Sequence, residues 1–159
     1  MKQVAAIAPE WIISEWLNSD KDLSLTALRG RVIVAGAFQM LCPGCVSELV
    51  PQLRQIHSVF KNSDIAVLGL HTVFEHHAAM QPVSLKAFLH ENRLTFPVAI
   101  DKPQMPEQPI PATMELYGMQ GTPTMMLIDR KGQLRRLSFG HVLDLVIGSE
   151  ISALLSERD

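Results

Sequence analysis

Two cysteines stand at positions 42 and 45, separated only by Pro43 and Gly44, and the chain has no other cysteine. A disulfide framework needs cysteines spread along a chain, and these are not. Closing so small a loop contributes about 2 kcal/mol on the chain-entropy formula, against about 4.7 kcal/mol for a 100-residue loop. Stability alone is a poor reason for the pair, so redox chemistry or metal binding is the better starting point. Residues three apart on a helix share a face, which lets the two sulfurs bridge.

The elements around the pair decide which sulfur does what. Val32-Ile33-Val34-Ala35-Gly36-Ala37-Phe38 is a continuous apolar run between Arg31 and Gln39. That is the mark of a buried, parallel strand. After the cysteines, Val46, Leu49, Val50, Leu53, Ile56 and Phe60 recur at helical steps. Cys42 then falls at the N-cap and Pro43 at the first helical position. Unpaired amides and the positive dipole end of the helix stabilise a thiolate there. At a pKa of ~8.5 only about 3% of a thiol is ionised at pH 7, and at ~7 half is. Cys42 is therefore the expected nucleophile. Cys45, one turn in and more buried, resolves the mixed disulfide. Pro51 lies inside the helical pattern and is expected to kink it.

Further strands are expected at Trp11–Leu17 (a short edge strand), Asp64–Leu70, Phe96–Ile100, Thr124–Ile128 and Leu134–Phe139. Leu23–Gly30 reads as a turn-like lead-in. His71 to Gln81 reads as a polar, His-bearing loop, and Ser84 as the cap of a helix carrying Leu85, Phe88 and Leu89. Four prolines between Asp101 and Pro111 make that stretch a loop. Thr113–Tyr117 is a short helix stopped by Gly118, Asp129–Gly132 a hairpin turn, and Leu143–Leu155 a closing helix. Strand–helix–strand first and a hairpin last imply an α/β fold, a mixed sheet with helices on both faces.

The chain has 159 residues, 47% hydrophobic and 19% charged, with a net charge of −2. That length fits one domain with its own core. We read residues 1–159 as a single domain with an N-terminal extension (1–24) and an insert (about 71–120). The charge argues against a basic nucleic-acid footprint. No apolar run approaches the ~18 residues of a membrane span. The N-terminal run Val4–Ala8 is five residues, short of the roughly 7–15 of a signal-peptide core, so a cytoplasmic location is expected.

With these features in place, the sequence resembles the thioredoxin-like superfamily, in its TlpA-like and redoxin (AhpC/TSA-related) thiol–disulfide branch. The resemblance rests on strand–Phe38-Gln39-Met40-Leu41-Cys42-Pro43-Gly44-Cys45–helix, on Gly121-Thr122-Pro123-Thr124 before a strand, and on the terminal strand–turn–strand–helix around Asp129, Gly132 and Gly140. It runs from about Leu25 to the C-terminus. It implies a three-layer α/β/α sandwich, a cis Pro123 packed against the cysteines, and a Thr122 backbone that pairs with an extended substrate segment. Pro43 and Gly44 join Thr122 and Pro123 as expected substrate contacts.

There are departures. Leu41 replaces the tryptophan of thioredoxins, and Gly36 stands where they bury an aspartate. The inner dipeptide is Pro-Gly rather than Gly-Pro. The helix proline comes nine residues after Cys42, one more than usual, which hints at a local bulge. With no acid at position 36, Glu48 is the candidate base. TlpA-like proteins often carry a glutamate there, and a partly buried one with a raised pKa can exchange protons with the Cys45 thiol.

Taken together, these residues read as a thiol–disulfide oxidoreductase acting on protein or small-molecule disulfides, with Cys42, Cys45 and Glu48 as catalytic residues. Such an enzyme needs an electron donor that the sequence does not identify, and no cofactor, nucleic acid or membrane span. One alternative is a peroxiredoxin-like peroxidase, against which Gln39 replaces the expected Thr or Ser. Another is metal binding or delivery by the cysteines with His71, His76 and His77, at the C-terminal edge of the parallel strands. A redox-dead interaction domain is disfavoured by the intact pair.

Overall fold

The computed structural model describes residues 6–157. Residues 1–5, which include the start of the Val4–Ala8 run, lie outside them. The strands are β1 (Ala6–Ile7), β2 (Ile13–Leu17), β3 (Val32–Phe38), β4 (Ile65–His71), β5 (Val98–Asp101), β6 (Thr124–Ile128) and β7 (Gln133–Phe139). The helices are α1 (Val50–Val59), α2 (Pro82–Glu91), α3 (Ala112–Tyr117) and α4 (Asp144–Ser156). One sheet holds all seven strands in the order β1-β7-β6-β3-β4-β5-β2. β3 runs parallel to β4 and antiparallel to β6, so the sheet is mixed, as its apolar runs and terminal hairpin imply.

Period-two alternation splits the core between the two faces. Val32, Val34 and Phe38 pack with Leu53 of α1, Leu85 of α2 and Ile151 of α4. Ile33, Ala35 and Ala37 point the other way, toward Trp11, Leu25 and Leu28, with Tyr117 of α3 against them. Helices do lie on both faces, but unevenly: three on one, one short helix and the non-helical N-terminal segment on the other.

Several boundaries move. β1 has no counterpart in the sequence pattern; its two residues give no alternation to detect, and pairing with β7 alone defines it. α2 starts at Pro82 rather than beside Ser84, because proline carries a helical φ and needs no amide partner at the first turn. β5 begins after Pro97, which has no N–H for the ladder, though its carbonyl accepts from Gly69 N at 2.9 Å. His71 belongs to β4, in register with Phe38, and not to the loop after it.

The helix after the cysteines contains the expected bulge. Pro43 and Gly44 are helical, and Cys45–Leu49 then form a π-turn closed by Val50 N–H to the Cys45 carbonyl. The extra residue is absorbed there, and Pro51 falls in the first turn of α1, where its missing N–H costs little. Gly36 lets this helix come close. A Cβ at Gly36 would lie 2.7 Å from Leu53 Cδ1 and 2.9 Å from Leu49 Cδ2. The volume open to an acidic side chain is thus filled by leucine.

Candidate active site

Three chain segments converge at one end of the sheet. The C-terminal ends of β3 and β4 lead to Cys42 and His71, and β6, antiparallel to β3, starts there with Thr124 opposite Ala37. The turn before β6 therefore faces the turn after β3. The Thr122–Pro123 peptide is cis, as the resemblance implied. Pro123 sits over the cysteine turn: a Cβ on Gly44 would be 3.5 Å from its Cδ. Gly140 N–H donates to the Pro123 carbonyl at 2.8 Å, and Thr124 Oγ1 donates to the Gly121 carbonyl at 2.7 Å.

Both cysteines are free thiols, and they differ sharply in setting. Cys42 is half-buried; its Sγ donates to the Thr122 carbonyl at 3.6 Å and accepts the Cys45 N–H at 3.4 Å. Cys45 is fully buried, at 0% exposure. Burial first, and then the neighbouring Cys42 sulfur, push the Cys45 thiol up to about 12. The polar surroundings at the Gln39 backbone and the Thr122 side chain oppose that rise.

Glu48 does not take the place expected of it. Its side chain is 47% exposed, and its carboxylate lies 3.1 Å from His141 Nδ1. The π-turn is the reason: residues three apart in an α-turn are neighbours, and the wider turn swings Glu48 away from the Cys45 side. Gly36 supplies no acid either, so among the described residues no carboxylate hydrogen-bonds the buried thiol.

Two polar groups that the sequence offers only in other roles, Gln39 and His71, hold the cysteine turn. Gln39, at 1% exposure, donates from Nε2 to Thr122 Oγ1 at 3.2 Å and accepts Phe74 N–H on Oε1 at 3.2 Å. The available signal was a lone polar residue immediately after a wholly apolar strand. His71 is buried against Phe38, their ring centroids 5.1 Å apart, and its Nε2 accepts Met40 N–H at 3.1 Å. Burial lowers its pKa to about 4, so the ring is neutral and its proton sits on Nδ1.

The histidines of the metal alternative are not brought together. His71 is committed to Met40, and His77 Nε2 lies 3.0 Å from the Pro109 carbonyl. Among the described residues no group of three or more His, Cys, Asp or Glu is placed to hold a metal ion. No helix of the described residues is long and apolar enough to cross a membrane.

The chain is similar to known proteins to different extents. A family profile described as the AhpC/TSA family matches residues 4–137. Protein DipZ of Mycobacterium tuberculosis is 28% identical over 130 residues, which is 80% of this chain but 17% of DipZ. The thiol-disulfide oxidoreductase ResA of Bacillus anthracis is 25% identical over 132 residues, 83% of this chain and 67% of ResA. Among solved structures, a thioredoxin-like superfamily protein superposes with a TM-score of 0.92 at 53% identity, covering 96% of this chain and 97% of its own. A thiol-disulfide isomerase from Corynebacterium glutamicum gives a TM-score of 0.91 at 46% identity, covering 98% and 99%.

Proposed function

The chain belongs to the AhpC/TSA family and has the thioredoxin-like fold, and from that premise we propose that it is a thiol–disulfide oxidoreductase worked by Cys42 and Cys45. The observation that carries this reading is the asymmetry of the pair: one accessible sulfur receiving a backbone N–H, one fully buried sulfur a turn behind it.

Cys42 thiolate attacks one sulfur of a substrate disulfide. The substrate S–S bond breaks, one thiolate leaves, and a mixed disulfide forms on Cys42. Cys45 then attacks Cys42 Sγ, releasing the second substrate thiolate and leaving a Cys42–Cys45 disulfide. Two electrons pass from the dithiol to the substrate. A separate donor returns them.

The cis Pro123 turn and Gly44 form the floor on which the substrate lies. An extended segment pairs with the Thr122 backbone by strand addition. Pro43 and Gly44 complete that contact. The substrates are protein or small-molecule disulfides, and the working direction is reduction in a reducing, cytoplasmic setting.

The test is a pair of substitutions. Cys42→Ser abolishes disulfide reduction, whereas Cys45→Ser retains the first attack and accumulates a mixed disulfide visible by mass spectrometry. Reduction that survives Cys42→Ser overturns the reading. A redox titration of the pair reports the direction of electron flow: a potential above the cytosolic poise contradicts a reductase.

A further inference from the structure

Disulfide exchange on an extended substrate segment, the proposed reading on which this inference rests, needs two things at a fixed separation: the attacking sulfur and the backbone edge beside it. Gln39 is bonded to the segments that carry both. Its carbonyl accepts the Cys42 N–H at 3.0 Å, which shapes the turn bearing the sulfur. Its side chain, in a residue only 1% exposed, reaches Thr122. A backbone N–H can only donate, so the Phe74 N–H fixes the oxygen end of the Gln39 amide toward itself at 3.2 Å. The nitrogen end then donates to Thr122 Oγ1 at 3.2 Å. A flipped amide would set donor against donor at Phe74. The carbonyls on either side of Thr122 are occupied: that of Gly121 accepts the Thr124 hydroxyl, and that of Pro123 accepts Gly140 N–H. The carbonyl of Thr122 itself faces the Cys42 sulfur at 3.6 Å. A buried amide of fixed orientation thus sets where Thr122 stands relative to Cys42.

We propose that Gln39 is a positioning residue for substrate binding: anchored by Phe74, in the loop between β4 and α2, it holds the Thr122 edge in place for an extended peptide beside Cys42. An edge held before the substrate arrives need not be ordered on binding, so the gain falls in affinity. Only a substrate with a backbone to pair draws on it. A small aromatic disulfide has no such backbone and reacts at the sulfur alone. Gln39 therefore sets a preference for peptide disulfides over small ones, through a contact with the edge and not with the substrate.

The experiment mixes the reduced full chain with an excess of either of two chromogenic disulfides. One is dithiobis(nitrobenzoate). The other is a short peptide whose central cysteine is disulfide-bonded to thionitrobenzoate, made with and without methyl groups on its backbone nitrogens. In each, the Cys42 thiolate forms an S–S bond to one sulfur, the bond from that sulfur to thionitrobenzoate breaks, and the coloured thiolate leaves with the electron pair. Methylation is expected to slow wild type about tenfold, through the half-saturating concentration. Gln39→Leu slows release from the unmethylated peptide about three- to tenfold, keeps dithiobis(nitrobenzoate) within about twofold of wild type, and leaves methylation nearly without effect. Thr122→Val, which removes the acceptor at the other end of the clamp, gives the same split. Gln39→Glu retains the preference for the peptide at pH 5, where a buried carboxyl is protonated and offers the same acceptor and donor. Equal slowing on the two disulfides, a methylation effect undiminished in Gln39→Leu and Thr122→Val, or no methylation effect in wild type overturns the proposal. Release that survives Cys42→Ser counts instead against disulfide exchange by the pair.

Discussion

Burial gives two chemically identical thiols, three residues apart, opposite properties. Cys42 is half-buried, and the thiol of Cys45, fully buried, is pushed up to about 12. Burial acts on His71 in the other direction, because the charged form of a histidine is the protonated one. Its folded value of about 4 lies below the ordinary 6.5. Between those limits the unfolded chain binds a proton that the native protein does not. Stability from this residue is thus complete above about pH 6.5 and is lost as pH falls toward 4, by up to about 3 kcal/mol. Urea midpoints for wild type and His71→Gln should converge on acidification from pH 7 to 4.5, because the variant keeps an acceptor for Met40 N–H without a titrating ring. Parallel pH dependences in the two proteins would exclude the assignment.

At the scale of elements, close approach matters more than propensity. Helix and sheet meet at Gly36, where Leu49 and Leu53 occupy the space of a side chain. Gly36→Ala is expected to cost about 1–3 kcal/mol, since leucine side chains in a packed core yield only partly. Combining it with Leu53→Ala should recover part of that loss in a denaturant double-mutant cycle. Simple additivity would place the strain elsewhere. Asp101 does comparable work for α3. Its carboxylate accepts Thr113 N–H at 2.7 Å, Met114 N–H at 3.0 Å and Thr72 Oγ1–H at 2.9 Å. Asp101→Ala strands three buried donors and should destabilise by about 2–4 kcal/mol, with Asp101→Asn milder because one acceptor oxygen remains. Thermal or urea unfolding of the two variants makes the comparison.

Across the whole molecule, protection should follow position in the sheet. β3, β4 and β6 are buried at every residue and occupy its middle, whereas β1 and β2 lie at its two edges. Native-state hydrogen exchange is expected to be slowest in β3 and β6 and fastest in β1, whose two residues are exposed. A β1 as protected as β3 would mean that the edges are covered in solution. The N-terminal segment bears on the same point. Trp11, Leu25 and Leu28 of this non-helical segment cover one face together with Tyr117 of α3, and Glu10 helps anchor the segment by accepting the Leu25 and Thr26 N–H groups.

Sequence alone carries the order of elements from β2 onward, the mixed sheet, the cysteines at a helix start and a bulge near Pro51. Each of these is written in local pattern: apolar runs, turn residues, and the count from Cys42 to Pro51. Tertiary structure decided the rest, because it depends on which distant groups touch. Glu48 looked adjacent to Cys45 on an α-helical count, and the π-turn carried it out to His141. His71 read as the first residue of a polar loop, and strand pairing buried it under the active-site turn. Gln39 shows in the sequence as a lone polar residue after an apolar strand and as a missing hydroxyl, but its partners Phe74 and Thr122 lie 35 and 83 residues away. Spacing along a chain sets which side chains share a face, but the environment of a buried polar group is made by residues remote from it.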